Sequence, residues 1–485
     1  IFLGLLGGQA DPYLSAGLGT SISNGLLRPV PRHGAPNRRQ RDAGGTGRQQ
    51  MRRSTATFHR ASDTTASAWQ QATTVAMASE PAARHDGRRR GGPLLPSLLL
   101  ACLLLLLLLP EAARARIPDK ELQALVALRN SITFDPKDVF ESWNGPEPCA
   151  WGGVTCDVSG RAVTILDFRQ QGLQGTLPRE LGDLRHLVAL YFQENHLRGS
   201  IPAAISGLAG LKGLYMFENH FTGTLPPLSK MRHLQALNVR GNELTGSIPA
   251  SVSALRELVD LDLRANALSG SIPPALSAAT SLQYLYLNDN RLRGPIPPAL
   301  SALAALKTLP LYKNALEGPI PAQLSAMTAL LDLSLSDNAL TGTVPAALHR
   351  LTGLKAIDLA RNALRGAMPA ELGGLKHLSY ISVAGNQLSG SIPARWGELK
   401  SLQALYMANN QLEGSIPDSF GALHRLSEIS VAFNPGLCGD FAAALRKAVP
   451  RSTEGTRLGQ ACRAGVGAEQ DEYYDEEEDY YAHEL

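Results

Sequence analysis

One asparagine recurs along this chain at a nearly constant step. Counted from Asn195, it returns at Asn219, Asn242, Asn266, Asn290, Asn314, Asn338, Asn362, Asn386, Asn410 and Asn434. Nine of the ten steps are 24 residues; the exception, Asn219 to Asn242, is 23 and lacks a residue between Pro226 and Leu234. One step upstream Gln171 holds the same place behind Leu166 and Phe168, which makes twelve repeats. Gly follows the marker by four residues and Pro by seven in the first eleven. A single unit of this size cannot cover its own apolar face, so neighbours must stack, and the chain is constrained to a solenoid.

Each position in the unit has a physical task. In the segment before the marker, alternating apolar residues turn inward on a short strand. The marker stands where the chain leaves that strand. Its amide both donates and accepts, so it satisfies turn backbone groups that would otherwise be buried unpaired, and Asp could not donate there. Gly permits a tight bend, and Pro fixes the next extended stretch without needing a donor. Twelve parallel strands spaced ~4.8 Å apart span about 55–60 Å along the sheet. Pro310, inside Leu309-Pro310-Leu311, should break one ladder bond of that sheet.

The unit Leu187-x-x-Leu190-x-Phe192-x-x-Asn195-x-Leu197-x-Gly199-x-Ile201-Pro202 resembles the plant-type extracellular leucine-rich repeat. The run from Trp143 to Cys156, with Leu122, Leu125, Leu128 and Ile132 ahead of it, is similar to that family's N-terminal cap. Asn434-Pro435-Gly436-Leu437-Cys438-Gly439 resembles its C-terminal cap. The resemblance covers residues 119–462. It implies an α/β-repeat, right-handed, curved and superhelical leucine-rich-repeat solenoid. A parallel sheet would line its concave face, and its role would be extracellular recognition. Within the family it looks like a receptor-like protein, a receptor-kinase ectodomain without the kinase, or a relative of polygalacturonase-inhibiting proteins. The expected domains are a cap over 117–160, repeats over 161–440, a second cap over 441–464 and an acidic tail over 465–485.

Outside a hydrophobic leader, four cysteines remain, and four allow three pairings. A stacked solenoid holds its ends apart, so the expected bonds are Cys149–Cys156 and Cys438–Cys462, one per cap. Zinc is the competing reading, but the spacings match no paired C-x2-C knuckles and no His pair stands nearby.

The formal net charge of +3 over 485 residues hides three zones. Residues 1–116 hold fifteen Arg and six acids; residues 469–485 hold nine acids and no Lys or Arg. Residues 1–76 show no helix or strand period and read as a disordered or untranslated leader. From Met77 the order is a basic stretch ending in Arg88-Arg89-Arg90, an apolar run over 94–109, and Ala113-Arg114-Ala115. These are the parts of a signal peptide over 77–115, cleaved after Ala115. The alternative is a signal anchor, although sixteen residues fall short of the ~20 a spanning helix needs. Either way the repeats end outside the cytosol. The tail's four tyrosines beside acids are candidate sulfation sites.

Binding by a solenoid falls on its concave sheet. Outward positions lie six, four and two residues before each marker. In the two-before column the last five repeats show only Ser336, Ala360, Ala384, Ala408 and Ala432. The earlier repeats show Arg, Phe, Tyr and amides, and Tyr and Arg are the types that anchor interfaces. The expected ligand face is Tyr191, Tyr215, Phe217, Arg240, Asp262, Arg264, Tyr284, Tyr286 and Tyr312. β-propensity alone would also place Tyr on a strand. The chain shows no nucleophile elbow, metal cluster, phosphate loop or kinase motif, so neither an enzyme nor a cofactor or metal is expected. Its basic residues are too sparse for nucleic acid. Expected partners are an extracellular protein or peptide, a co-receptor among them, or a wall polysaccharide. A membrane would be met only through an uncleaved 94–109 span, and a structural scaffold without a specific ligand is the remaining alternative.

Overall fold

A computed structural model describes residues 117–440 and 451–462. The leader, the 77–115 address with its apolar run, and the acidic tail lie outside the described residues.

Every repeat opens on a three- to five-residue strand whose inward side chains are shut from water, as Leu261, Leu285 and Leu309 are. The strands pair in parallel, in register with the repeat: Asp260 stands opposite Tyr284 and Asp262 opposite Tyr286. Among the described residues the sheet has fourteen strands rather than twelve. The caps supply the two extra ones. Val154–Cys156 closes the first edge antiparallel to Val163–Asp167, and Arg451–Ser452 extends the last edge beyond Glu428–Ser430. Both protect strand edges that would otherwise be open to pairing. At Pro310 the ladder does break. The strands Tyr284–Tyr286 and Thr308–Pro310 pair only at Tyr284↔Thr308, while the neighbouring pairs have three partners each. Pro has no N–H to give there.

Past the strand, the residue before the marker has a left-handed backbone in all twelve repeats. Only Gly241 and Gly385 are glycines; the rest include Ala265, Lys313 and Phe433 at φ 51–52°. The Gly four after the marker is also at positive φ, and short strands such as His196–Ser200 and Ala315–Pro319 run through this second bend. The Pro seven after the marker then caps a five-residue 3-10 helix, as Pro202 does for Ala203–Gly207. Pro226 is the exception: the 23-residue repeat forms no such helix, so the missing residue is taken from the outer side and the strand register is kept.

The asparagine ladder ties repeats to one another. In Asn195, Nδ2 donates to Phe192 O at 2.9 Å and Gln193 O at 3.2 Å in its own turn, and to Phe168 O of the preceding repeat at 2.7 Å. Its Oδ1 accepts from Leu173 N at 3.0 Å. The same pattern runs to Asn434, whose Nδ2 reaches Met407 O, Val431 O and Ala432 O and whose Oδ1 accepts from Leu412 N. Asn219, Asn242, Asn266, Asn290, Asn314, Asn338, Asn362, Asn386 and Asn410 repeat it, each accepting from the backbone of the repeat before. Four bonds per residue, two of them between repeats, explain why Asn holds this place in every repeat after the first, where Gln171 stands at the edge of the stack.

At the N-terminal end the helix Asp119–Ser131 buries Ala124, Leu125 and Leu128 over the first repeat. An aromatic column of Trp151, Trp143, Phe140, Phe168 and Phe192 continues the core inward. Glu121, 2% exposed, accepts from Val163 N at 2.8 Å and meets His186 Nδ1 at 2.7 Å. Cys149–Cys156 and Cys438–Cys462 are both bonded, one in each cap.

Candidate functional site on the concave sheet face

The outward positions of twelve short strands make a continuous floor, because strand alternation turns every second residue away from the core. On the first seven repeats this floor is built from rings and guanidinium groups in contact. Tyr191 and Tyr215 stack at 5.0 Å with planes 8° apart, and Arg169 lies over Tyr191 at 4.8 Å. Arg240 covers Phe217 at 4.7 Å and pairs with Glu218 at 3.1 Å. Arg264 covers Tyr286 at 4.9 Å and pairs with Asp262 at 3.3 Å. Lys307 Nζ stands 5.4 Å from the Tyr284 ring centre. Tyr312 is half-buried at the far end of the group, and its carbonyl accepts from Asp289 N at 3.0 Å. The nine candidate residues therefore form neighbouring sets rather than one cluster. One is the Tyr191–Tyr215 stack, the next Phe217–Arg240, then Asp262–Arg264–Tyr286; Tyr284 and Tyr312 stand beside the last.

Packing hides more of this face than outward alternation suggests. Asp262 is 3% exposed, Gln193 4% and Asn288 2%. Burial accordingly dominates the electrostatics. It pushes the Asp260 carboxyl up to about 7, reinforced by the nearby Asp262 and opposed by Arg264. Burial also raises Asp262 to about 6, against the pull of Arg264 and Arg240. The Tyr286 hydroxyl is raised by burial and then by Asp260, and Tyr312 by burial and Asp289. Beyond repeat 7, Asp332 is raised to about 6 by burial while Ser334 Oγ donates to it at 2.9 Å. Tyr380 and Tyr406 tilt together at 5.7 Å, and the Tyr406 hydroxyl donates to Glu428.

Asp260 and Asn288 are the features that residue-type reasoning passes over. Among the described residues, Asp260 Oδ1, Gln193 Oε1 and Asn288 Oδ1 are buried acceptors with no hydrogen-bond partner. The only sequence signal for the first is the i, i+2 repetition of Asp260 and Asp262 on one strand face. Among the described residues no group of three His, Cys, Asp or Glu could hold a metal, and no helix is long and apolar enough to cross a membrane.

The fold and caps define a class before any comparison is made, a capped leucine-rich-repeat solenoid with its side-chain variety on the concave strands. Residues 118–157 match the leucine-rich repeat N-terminal domain, residues 232–292 and 328–388 match paired leucine-rich repeats, and residues 401–423 match a further one. The chain folds as a leucine-rich-repeat solenoid and is similar to the ectodomains of plant receptor kinases. Phytosulfokine receptor 2 of Arabidopsis thaliana is 43% identical over 74 residues, 14% of this chain and 7% of that protein. Among solved structures, the PEPR1–AtPEP1 complex superposes with a TM-score of 0.62 at 33% identity, covering 68% of this chain and 51% of that one. The plant peptide hormone receptor RGFR1 in complex with RGF2 gives 0.53 at 27% identity, covering 63% and 60%. The chain thus spans a small fraction of its curated relatives and about half of the solved ectodomains. Its match to the kinases lies in the repeat region, which is not catalytic.

Proposed function

We propose that this solenoid is a non-catalytic recognition module, working outside the cell or at its surface in signalling or defence. It binds an extended peptide or small extracellular protein along its concave face. The supporting observation is the series of ring–ring and cation–ring contacts from Arg169 to Lys307, set side by side on the repeats that precede the Ser and Ala stretch of the two-before column. Rigid aromatic rings give large contact area at little entropic cost, and guanidinium groups add directional donors. A peptide partner is favoured over a wall polysaccharide because PEPR1–AtPEP1 and RGFR1–RGF2 are receptor structures of this fold and RGFR1 is a peptide hormone receptor. The same face serves whether the chain is released after Ala115 or held by the 94–109 run.

The test is equilibrium binding of extracellular peptide fractions to the full chain and to the triple substitution Tyr215→Ala, Phe217→Ala and Tyr286→Ala. Saturable binding that the triple variant loses at least 100-fold, with its melting transition kept, supports the reading. Retained affinity rules the patch out.

A further inference from the structure

We propose that repeats 5 to 7 carry a subsite for one basic residue of the bound peptide, with the Asp260 carboxylate meeting its side-chain cation and Asn288 Oδ1 accepting its backbone N–H. This rests on the reading of the concave face as a peptide site and names what one stretch of it selects.

The first observation is a pair of acceptors with no donors. Asn288 is 2% exposed, and its Nδ2 donates to Asp289 Oδ2 at 2.6 Å. Only the nitrogen can make that bond, so the amide is oriented and Oδ1 is the group left without a partner. Asp260 Oδ1 is likewise buried and unpartnered. Native proteins rarely leave such atoms without a reason, since each costs its full desolvation. Both are acceptors, so what completes them must bring N–H groups.

The second observation is the charge count. Arg264 is engaged by Asp262 and Arg240 by Glu218. Asp260 is left as the surplus carboxylate of its strand, and the set of Asp260, Asp262 and Arg264 carries one net negative charge when all three are ionised.

The third is reach. Asp260 stands opposite Tyr284, four residues before Asn288, so the two acceptors are set about 13 Å apart along the strand direction. An arginine covers roughly 7 Å from its amide nitrogen to its guanidinium, and a hydrogen bond of about 3 Å at each end closes the distance. Tyr284 and Tyr286 lie along that path, and a guanidinium already rests on Tyr286 in the form of Arg264. A small polar residue would reach only one acceptor.

Binding is then linked to a proton. Around Asp260 stand Asp262 and Arg264 further along its own repeat and Tyr284 and Tyr286 of the next; Arg240 and Glu218 act on the neighbouring Asp262, and Lys307 stands over Tyr284. Burial holds the Asp260 proton to about pH 7. A ligand cation displaces it, so affinity falls as the pH drops below that value.

The probes are N-acetyl-arginine N-methylamide and its neutral isostere N-acetyl-citrulline N-methylamide, titrated calorimetrically into the full chain at pH 7.5 and pH 5. The arginine probe should saturate, and the citrulline probe should bind at least tenfold more weakly. Lowering the pH should cost the arginine probe about tenfold or more. Asp260→Asn should abolish both the preference and the pH dependence, Asn288→Leu should weaken binding several-fold at either pH, and Asp332→Asn should change nothing. Equal binding of the two probes to the wild-type chain, or equal losses in Asp260→Asn and Asp332→Asn, overturns the subsite. A chain that binds neutral peptides through its aromatic row but ignores the arginine probe fails this proposal alone. A chain that binds the probe but no peptide fails the broader reading and keeps the subsite.

Discussion

Replacing Asn434 by Asp exchanges one NH2 group for an oxygen at a fully buried site. Asn434 is 0% exposed, and its Nδ2 donates to Met407 O and Val431 O at 3.0 Å and to Ala432 O at 3.2 Å. The Oδ1 bond from Leu412 N, 3.0 Å, survives the change. A protonated carboxyl still donates once, so at pH 4 two bonds are lost, about 2 kcal/mol at roughly 1 kcal/mol each. An ionised carboxylate would face three carbonyl oxygens. The cost of avoiding that is bounded by the cost of keeping the proton, about 1.4 kcal/mol for each pH unit above ~3.9, or about 4 kcal/mol at pH 7. The introduced group has a folded-state pKa above its unfolded one, so stability is lost as the pH rises from about 4 and the total deficit at pH 7 is about 6 kcal/mol. Urea unfolding at both pH values measures it, and hydrogen exchange of the Leu412 amide reports whether the loss is local to the last repeats, as nearest-neighbour stacking requires. The same change at Asn338, which is only part-buried, should cost less at both pH values. A pH-independent deficit below about 2 kcal/mol, or a larger loss at Asn338 than at Asn434, would refute the ladder argument.

Asp260→Asn should raise stability at both pH 5 and pH 8, and by about 2–3 kcal/mol more at pH 8, at about 1.4 kcal/mol per pH unit between ~3.9 and the folded value. The reason is that a carboxyl raised to about 7 contributes stability at low pH and loses it through that value; thermal melts at the two pH values check this. Ala265→Gly relieves a left-handed alanine at φ 52° and should gain up to about 1 kcal/mol, read from the urea midpoint. Replacing Cys438 and Cys462 together by Ser opens a 24-residue loop, worth roughly 3 kcal/mol. Amide exchange should then speed up in Arg457–Leu458 and the last strand while the repeats around Asn314 stay protected.

The spacing of asparagine, glycine and proline was enough to determine the solenoid, the strand positions and the pairing of the cysteines. The reason is that each residue answers a local need repeated twelve times, and repetition multiplies a weak local signal. The two cap strands escaped that logic because they occur once and depend on meeting an edge. The left-handed turn before each marker escaped it too, since Lys313 or Phe433 carries no sign of positive φ; only the stacking of neighbouring turns imposes it. On the concave face, residue types alone pointed to Tyr191, Tyr215, Phe217 and the arginines, because alternation on a strand decides which way they point. What they touch was a tertiary matter. Arg264 lying over Tyr286 follows from the distance between strands brought together by the fold, and that placement lets it reach back to Asp262 while Asp260 Oδ1, two residues before it, is left without a partner. No spacing along the chain encodes which of two neighbouring carboxylates will be paired and which will stay unpaired.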